Sequence, residues 1–528
     1  MSSPPRAPWA AFAVVFLALG VALRAVAVRE QVPCDDELVS IHTALIQPYE
    51  VIFNFFSHSY YSIPHTLLLK LFSDLWGLDE LTIRLPSLLA GVATLCAPLW
   101  LVRRSLGPAA AGICTALLAV SPLLVLYSRV SRAYGLAIAL VLVALLALAR
   151  WLEEQRPRDA ALYVGGAVLA IWVHQLSAPA LLAPLATASL LAARGAAPGE
   201  RLRRLLAPLA LGAAVGVLAA ALLWNPMFAT GGQLAAKAGK AEVHAATLGR
   251  VLELFAGTGR PWLVGVFWGS AALGAATLLR RHFRVAALLL TSLFAQWIAV
   301  AALAPFIAEV PRIFARYVVW TLPLVLLFAA LAVAELARWR IGGRDWPLPM
   351  LAGSALALAL YLFGPLPETY RMPGNFTTHV DYQDLLLDED AGPAVSEFYW
   401  RLREEPGDFA IAEAPWQNSR WMIPYHHFQR VHRRPVRIGF AGRLLAAPNP
   451  DELPLGDPRV AFRTFVDLAD PAGLRRAGIR YVVLHRDLGA EVGYPTLSMD
   501  LSPVIAWYAQ HVGQPVFEDA TISVFALR

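Results

Sequence analysis

Asp35, Asp36 and Glu37 stand together directly after the first apolar run of the chain. Crowded like charges raise one another's pKa, which suits a general base or a metal site, so a divalent metal stays open on the same ground. From these three residues alone, a solvated acidic loop end is the competing reading. His174 lies between two apolar runs. Ionisable residues at membrane depth tend to carry function, whereas a lone His at a helix end is otherwise a packed, hydrogen-bonded residue. Glu80 and Arg84, four apart, read as an i,i+4 pair on one helix.

The elements that must position these residues follow from hydropathy. Of the 528 residues, 58% are hydrophobic and 16% charged, and the apolar ones come in runs of roughly twenty rather than in amphipathic stripes, a bilayer signature. Such runs occur at about residues 8–28, 81–102, 106–127, 133–151, 159–173, 175–194, 203–224, 261–279, 285–306, 314–337 and 346–365. The reading is therefore a polytopic α-helical membrane protein with about eleven transmembrane helices and a C-terminal soluble α/β domain. The first run lacks a convincing small-residue cleavage site and reads as a retained helix.

With the N-terminus in the cytoplasm, five Arg clusters fall on the cytoplasmic side: Arg103 and Arg104; Arg150, Arg156 and Arg158; Arg194, Arg201, Arg203 and Arg204; Arg280, Arg281 and Arg284; and Arg338, Arg340 and Arg344. This explains the net charge of +6 as topology rather than nucleic-acid binding. It also puts the C-terminal domain outside the cytoplasm, with the chain in the inner (cytoplasmic) membrane. The three Lys, Lys70, Lys237 and Lys240, against many Arg and Ala suggest a bacterial, GC-rich source. Cys34, Cys96 and Cys114 have no metal-ligand spacing.

Two gaps exceed a turn. Residues 29–80 mix apolar and polar positions at helical spacing with many aromatics, as membrane-surface helices do. Residues 225–260 begin NPMFATGGQ and read as a mobile loop with a helical part. The membrane region is thus residues 1–366, and residues 367–528 form the α/β domain, with strands expected at FAIAEAP from Phe409, IRYVVLH from Ile479 and ISVFAL from Ile522, and a helix over 394–405. Asn375 to Thr377 form a formal glycosylation sequon, of little meaning in a bacterial chain.

Several segments, in order, resemble the bacterial members of the protein mannosyltransferase and aminoarabinose transferase group, membrane glycosyltransferases of GT-C fold that use polyprenyl-phosphate sugar donors. DDEL at Asp35 to Leu38 resembles the group's acidic pair in the first external loop. LDELTIRLPSLLAG from Leu78 is similar to its entry into the second helix. SRVSRAYGL from Ser128 resembles its turn before the fourth helix, His174 falls where a helix-embedded His is frequent, and FARYVVWTLPL resembles an Arg-Tyr start to a late helix. The resemblance covers about residues 8–340. Where relatives have a His-Pro-Pro or Asn-His-Pro element, this chain has SYYSIPHT, which leaves open whether His65 or Tyr61 replaces it.

The resemblance implies displacement at an anomeric carbon by an acceptor hydroxyl of a glycan, lipid or protein, with polyprenyl phosphate leaving. Asp36 is then the base, with Glu37 orienting or tuning it and Asp35 a further candidate. Arg316, Tyr317, Arg129, Arg132 and Arg312 at outer helix ends suit the leaving phosphate, as does Lys237, because the Arg fork donates two hydrogen bonds. Interfacial snorkelling is the alternative for each cation. A transporter or flippase of a lipid-linked saccharide is the rival function. It requires ionisable groups at the bilayer midplane, whereas here they gather at helix ends. A non-catalytic envelope scaffold is the other.

Overall fold

The structure, a computed structural model, describes residues 6–33, 35–56, 61–194, 197–305, 307–336, 348–371, 395–415, 422–445, 455–488 and 499–527. Cys34, the Arg338, Arg340 and Arg344 cluster and the sequon at Asn375 lie outside the described residues. In chain order the helices are α1 (Arg6–Ala25), α2 (Asp35–Ile46), α3 (Tyr49–Asn54), α4 (Ile63–Trp76), α5 (Leu85–Ala97), α6 (Arg103–Leu106), α7 (Pro108–Val120), α8 (Pro122–Arg129), α9 (Tyr134–Glu154), α10 (Pro157–Val173), α11 (Ala178–Ala193), α12 (Pro198–Ala235), α13 (Ala245–Ala256), α14 (Pro261–Arg281), α15 (Phe283–Leu303), α16 (Pro311–Val318), α17 (Leu322–Glu335), α18 (Leu348–Leu362), α19 (Leu366–Arg371), α20 (Glu397–Glu404), α21 (Met422–His432), α22 (Pro471–Arg476) and α23 (Ser502–His511). The chain divides into two compact units, the first made of Met1–Val26, Pro48–Leu67 and Pro86–Pro365, the second of Ala27–Gln47, Leu68–Leu85 and Leu366–Arg528.

The first unit is the helical membrane body. Among the described residues eight helices are long and apolar enough to cross a bilayer, and nine if the bent pair α7–α8 is one span. The other two expected runs are helical as well, but α10 and α18 have 17 and 15 residues. Tight helix contact rests on small residues, as lipid-embedded packing requires. A Cβ on Gly274 of α14 would lie 1.7 Å from the carbonyl oxygen of Phe328 in α17.

The 64° bend between α7 and α8 falls at Ser121 and Pro122. Pro122 lacks the N–H that the carbonyl of Leu118 would take four residues on. Arg24 of α1 replaces it: Nη2 donates to Leu118 O at 3.1 Å, Nη1 to Ala119 O at 3.3 Å and to Gly20 O at 2.9 Å, and Nε to Ser128 Oγ at 3.1 Å. In return Nη1 of Arg129, at the end of α8, donates to Leu23 O, Arg24 O and Val26 O at the end of α1, at 3.2, 3.0 and 2.7 Å. Two buried arginines thus close the ends of α7 and α1.

The gap expected to open at residue 225 is instead helix. α12 runs 38 residues through Pro208 and Pro226, ~57 Å at ~1.5 Å per residue, well beyond a ~30 Å hydrocarbon core. Thr230 Oγ1 donates to Pro226 O at 2.9 Å and accepts from Phe56 N at 3.2 Å, and Asn225 Nδ2 donates to Asn54 Oδ1 at 2.7 Å. Within the remainder α13 occupies Ala245–Ala256, and residues 236–244 and 257–260 lie outside any helix.

The second unit is built on a six-stranded sheet: β1 (Ala410–Ala414), β2 (Val436–Phe440), β3 (Phe465–Asp467), β4 (Ile479–His485), β5 (Phe517–Glu518) and β6 (Ile522–Ala526), in the order β3-β2-β1-β4-β6-β5. The first four strands in that order are parallel, and β6 and β5 antiparallel. β1, β4 and β6 and the helix α20 occupy the expected places. β1 is buried on both faces, its small and apolar run broken only by Glu413, whose carboxylate accepts from Tyr399 Oη at 2.9 Å. Ala410, Ala412 and Ala414 face a core with Leu474, Val504, Tyr508 and Phe525. Ile411 faces the other, where Leu38, Ile41 and Leu45 of α2, with Leu69, Leu78 and Ile83, pack beside Phe398, Phe428, Phe440 and Phe465. Helix α2 and the segment from Leu68 to Leu85 are therefore integral to the sheet's hydrophobic core.

Candidate functional site

In the membrane unit, cations and aromatic rings converge on Tyr134, the first residue of α9. The guanidinium carbon of Arg132 lies 6.0 Å from its ring centroid and that of Arg316, on α16, 5.6 Å. The His174 ring is 5.4 Å from Tyr134, 6.2 Å from Tyr317 and 4.9 Å from Trp320. Both arginines are buried. The turn carrying Arg132 is fixed by Ser87 Oγ donating to Arg132 O at 3.0 Å and by Arg132 N donating to Val130 O at 2.7 Å.

His174 ends α10 in an extended conformation, its N–H still bonded to Ala170 O and its carbonyl receiving Ser177 N at 2.9 Å. The break turns its ring into the cluster, where Nδ1 is buried and has no hydrogen-bond partner among the described residues. Gln296 of α15, not singled out in the sequence, holds this arrangement. Its Nε2 donates to Leu176 O at 2.9 Å and to Tyr317 O at 2.8 Å, and its Oε1 accepts from Ala180 N at 3.3 Å. The available signal was a lone amide in the apolar run FAQWIAV, costly in hydrocarbon unless its bonds are made.

His65 is fully buried, and burial, with the charge of Arg132 second, holds its imidazole down at about 3, so the ring is neutral. Tyr61 accepts from Gln175 Nε2 at its carbonyl, 3.1 Å, and Lys237 Nζ sits 4.7 Å above its ring. The structure thus brings Arg132, Arg316, Tyr317 and His174 together and places Lys237 on Tyr61. Arg312 lies one turn before Arg316 on α16, partly exposed. Nη1 of Arg129 closes α1 as described above.

In the second unit Asp35 and Asp36 are the first residues of α2, and their side chains lie outside the described residues. Glu37 is fully buried and gripped at both oxygens by Arg84, Nε to Oε1 at 3.1 Å and Nη2 to Oε2 at 3.0 Å. This corrects the expected pairing of Arg84 with Glu80. Residues 80–84 form turns, so the i,i+4 geometry of a helix does not hold there. Only the Glu80 carbonyl approaches Arg84, at 3.4 Å, while the Glu80 carboxylate accepts from Arg463 N, Thr464 N and Thr464 Oγ1. Among the described residues no three His, Cys, Asp or Glu side chains group as a metal site.

Residues 62–224 match the family model of the dolichyl-phosphate-mannose-protein mannosyltransferases. The matched stretch contains His65, Arg84, Arg132 and His174, while Asp36 and Arg316 lie outside it. No curated protein sequence matches the chain. Among solved structures it is similar to ArnT from Cupriavidus metallidurans bound to undecaprenyl phosphate, with 14% identity, a TM-score of 0.47 and 98% of each chain covered. It is also similar to the Archaeoglobus fulgidus oligosaccharyltransferase in complex with Zn and sulfate, with 13% identity, a TM-score of 0.42, and 92% of this chain and 70% of that one covered. For the arabinofuranosyltransferase AftD from Mycobacteria the identity is 16%, the TM-score 0.45, and the cover 100% of this chain and 40% of the other. The family match is confined to residues 62–224, the segment that carries the Arg-Leu-Pro-Ser and Ser-Arg-x-x-Arg motifs, in a chain whose described residues hold eight helices long and apolar enough to cross a membrane.

Proposed function

We propose that the chain transfers a hexosyl or pentosyl group from a polyprenyl-phosphate-linked donor to an acceptor hydroxyl at the outer face of the membrane. The observation that carries this reading is the convergence of Arg132 and Arg316 on Tyr134 beside His174. Two guanidinium groups focused on one ring in a buried setting attract an anion, and Arg forks match phosphate oxygens. The description of the matched family, a mannosyltransferase acting from dolichyl phosphate, supports the same donor chemistry.

In the proposed step the acceptor oxygen forms a bond to the anomeric carbon as the bond from that carbon to the phosphate oxygen breaks. The electron pair leaves with polyprenyl phosphate, stabilised by Arg132 and Arg316, and the acceptor proton passes to Asp36. Glu37, gripped by Arg84, sets the helix rather than taking the proton. Asp36→Asn in purified protein, assayed with a synthetic polyprenyl-phosphate sugar, is expected to lose at least ~10²-fold in turnover while remaining folded. Near-normal turnover would reject Asp36 as base.

The proposed orientation places the N-terminus in the cytoplasm and the sheet unit outside it, in the cytoplasmic membrane of a bacterium. A phosphatase reporter active only outside the cytoplasm, fused after Arg528, should then be active. An expressed but inactive fusion would reverse the assignment.

A further inference from the structure

We infer that the sheet of the second unit is the carrier of the acidic helix α2, and that Glu80 is the positioning residue that couples them. The inference rests on Asp36 as the base and adds what holds its helix in place.

The path runs through buried, directed contacts. The α2 N-terminus, with Asp35 and Asp36, begins just after a stretch three of whose carbonyls lead to one guanidinium. Nη1 of Arg84 donates to Val28 O at 3.0 Å and Gln31 O at 2.7 Å, Nη2 donates to Val32 O at 3.2 Å, and Nε and Nη2 donate to the Glu37 carboxylate. Arg84 in turn ends a tight turn that Asp79 closes, its Oδ1 accepting from Leu81 N at 3.1 Å and Thr82 N at 2.7 Å.

Glu80 fastens that turn to the sheet. One oxygen, Oε1, accepts from Arg463 N at 2.7 Å, Thr464 N at 2.8 Å and Thr464 Oγ1 at 2.8 Å, directly before β3 begins at Phe465. Beside it Leu78 N donates to Arg459 O at 2.6 Å and Ala461 N to Leu78 O at 2.9 Å, a parallel bridge that extends the contact. Charge-assisted bonds to a carboxylate are the stronger kind, and Glu80 is almost fully buried, so each donor depends on it. The C-terminal sheet is then a mount for the catalytic helix, through residues 383 and 384 positions away from Glu80.

A base displaced by about 1 Å loses on the order of 10²-fold in rate. The test uses the full-length purified protein with a synthetic polyprenyl-phosphate sugar, comparing Glu80→Ala with Glu80→Gln, which keeps an acceptor oxygen in place. Glu80→Ala is expected to lower turnover about ten- to a hundredfold with the apparent donor KM within about twofold. Amide hydrogen exchange over residues 35–46 should quicken, and Glu80→Gln should recover most of both. A purely structural role would instead lower the yield of folded protein, with the folded fraction turning over normally. If Glu80→Ala does not accumulate, Thr464→Val, which removes one donor at constant shape, should show the same pattern at about threefold. Unchanged exchange over 35–46 in Glu80→Ala, or in Thr464→Val where that variant stands in, overturns the coupling, as does unchanged turnover. Retained turnover in Asp36→Asn would instead reject the base while leaving the exchange result standing, so the two failures are distinguishable.

Discussion

Arg84 in the sheet unit and Arg316 in the membrane unit are both buried arginines beside residues with chemistry to do, yet they are held differently. Arg84 meets a carboxylate at two points and four backbone carbonyls, which is the environment of a rivet. Arg316 is presented to the face of Tyr134, next to Tyr317 and the His174 ring. Breaking a buried ion pair such as Arg84–Glu37 costs about 3–5 kcal/mol. The comparison teaches that burial of an arginine does not by itself mark function.

The largest expected effect follows from the rivet. Arg84→Ala strands the Glu37 carboxylate and four carbonyls, and should destabilise the sheet unit by about 3–5 kcal/mol, seen as a collapse of the thermal transition and of folded yield. Arg84→Lys should recover part of it, since one ammonium cannot serve two carboxylate oxygens and four carbonyls together. A folded, stable Arg84→Ala protein would break the contrast at its first side.

Arg316→Lys tests the other side. Charge is kept and the fork lost, so kcat/KM for the donor should fall about tenfold, equivalent to ~1.4 kcal/mol, with thermal stability close to that of the parent. Arg129→Lys is the control with the opposite signature. Losing part of the three-carbonyl grip on α1 should cost about 1–2 kcal/mol of stability while kcat/KM stays within about twofold. Equal kinetic losses in the two variants would erase the distinction between them.

The same contrast explains what could be read from the sequence. Each candidate span among the described residues falls on an expected apolar run because hydropathy is a local property, and strands β1, β4 and β6 stood out by runs of β-branched or small residues. β2 and β3, five and three residues long, carry too little pattern to stand out. The α12 boundary failed because Asn-Pro and Gly-Gly usually break helices, whereas here Thr230 Oγ1 donates to the Pro226 carbonyl and Asn225 bonds Asn54. Arg132, Arg316 and His174 were legible through motif order. The Arg84–Glu37 pair was not, because it spans 47 positions and a nearer carboxylate offered a local partner.

The smallest effect concerns a histidine present on each side of the comparison. In the sheet unit His432 is fully buried, its Nδ1 accepting from Arg434 N at 2.9 Å and its ring stacked 5.3 Å from Tyr399. Burial first, and the charge of Arg434 second, push its imidazole from 6.5 down to about 3. The folded state therefore refuses a proton that the unfolded chain accepts below pH 6.5. Stability is intact above that pH and falls as pH drops from 6.5 toward 3, by about 1.4 kcal/mol per pH unit for this one group. His432→Asn keeps an acceptor for Arg434 N and removes the titration, so its stability should fall less steeply with acid between pH 6.5 and 4 while changing little at pH 7.5. His65, held low by burial and by Arg132, should give the same sign in His65→Asn. Acid limbs that stay parallel to the parent in the His432 variant would mean that this imidazole is charged in the folded protein. The 3.8 Å approach of its Nε2 to Glu413 Oε1 would then be an ion pair, and the sheet unit would hold a second buried charge pair of the Arg84–Glu37 kind.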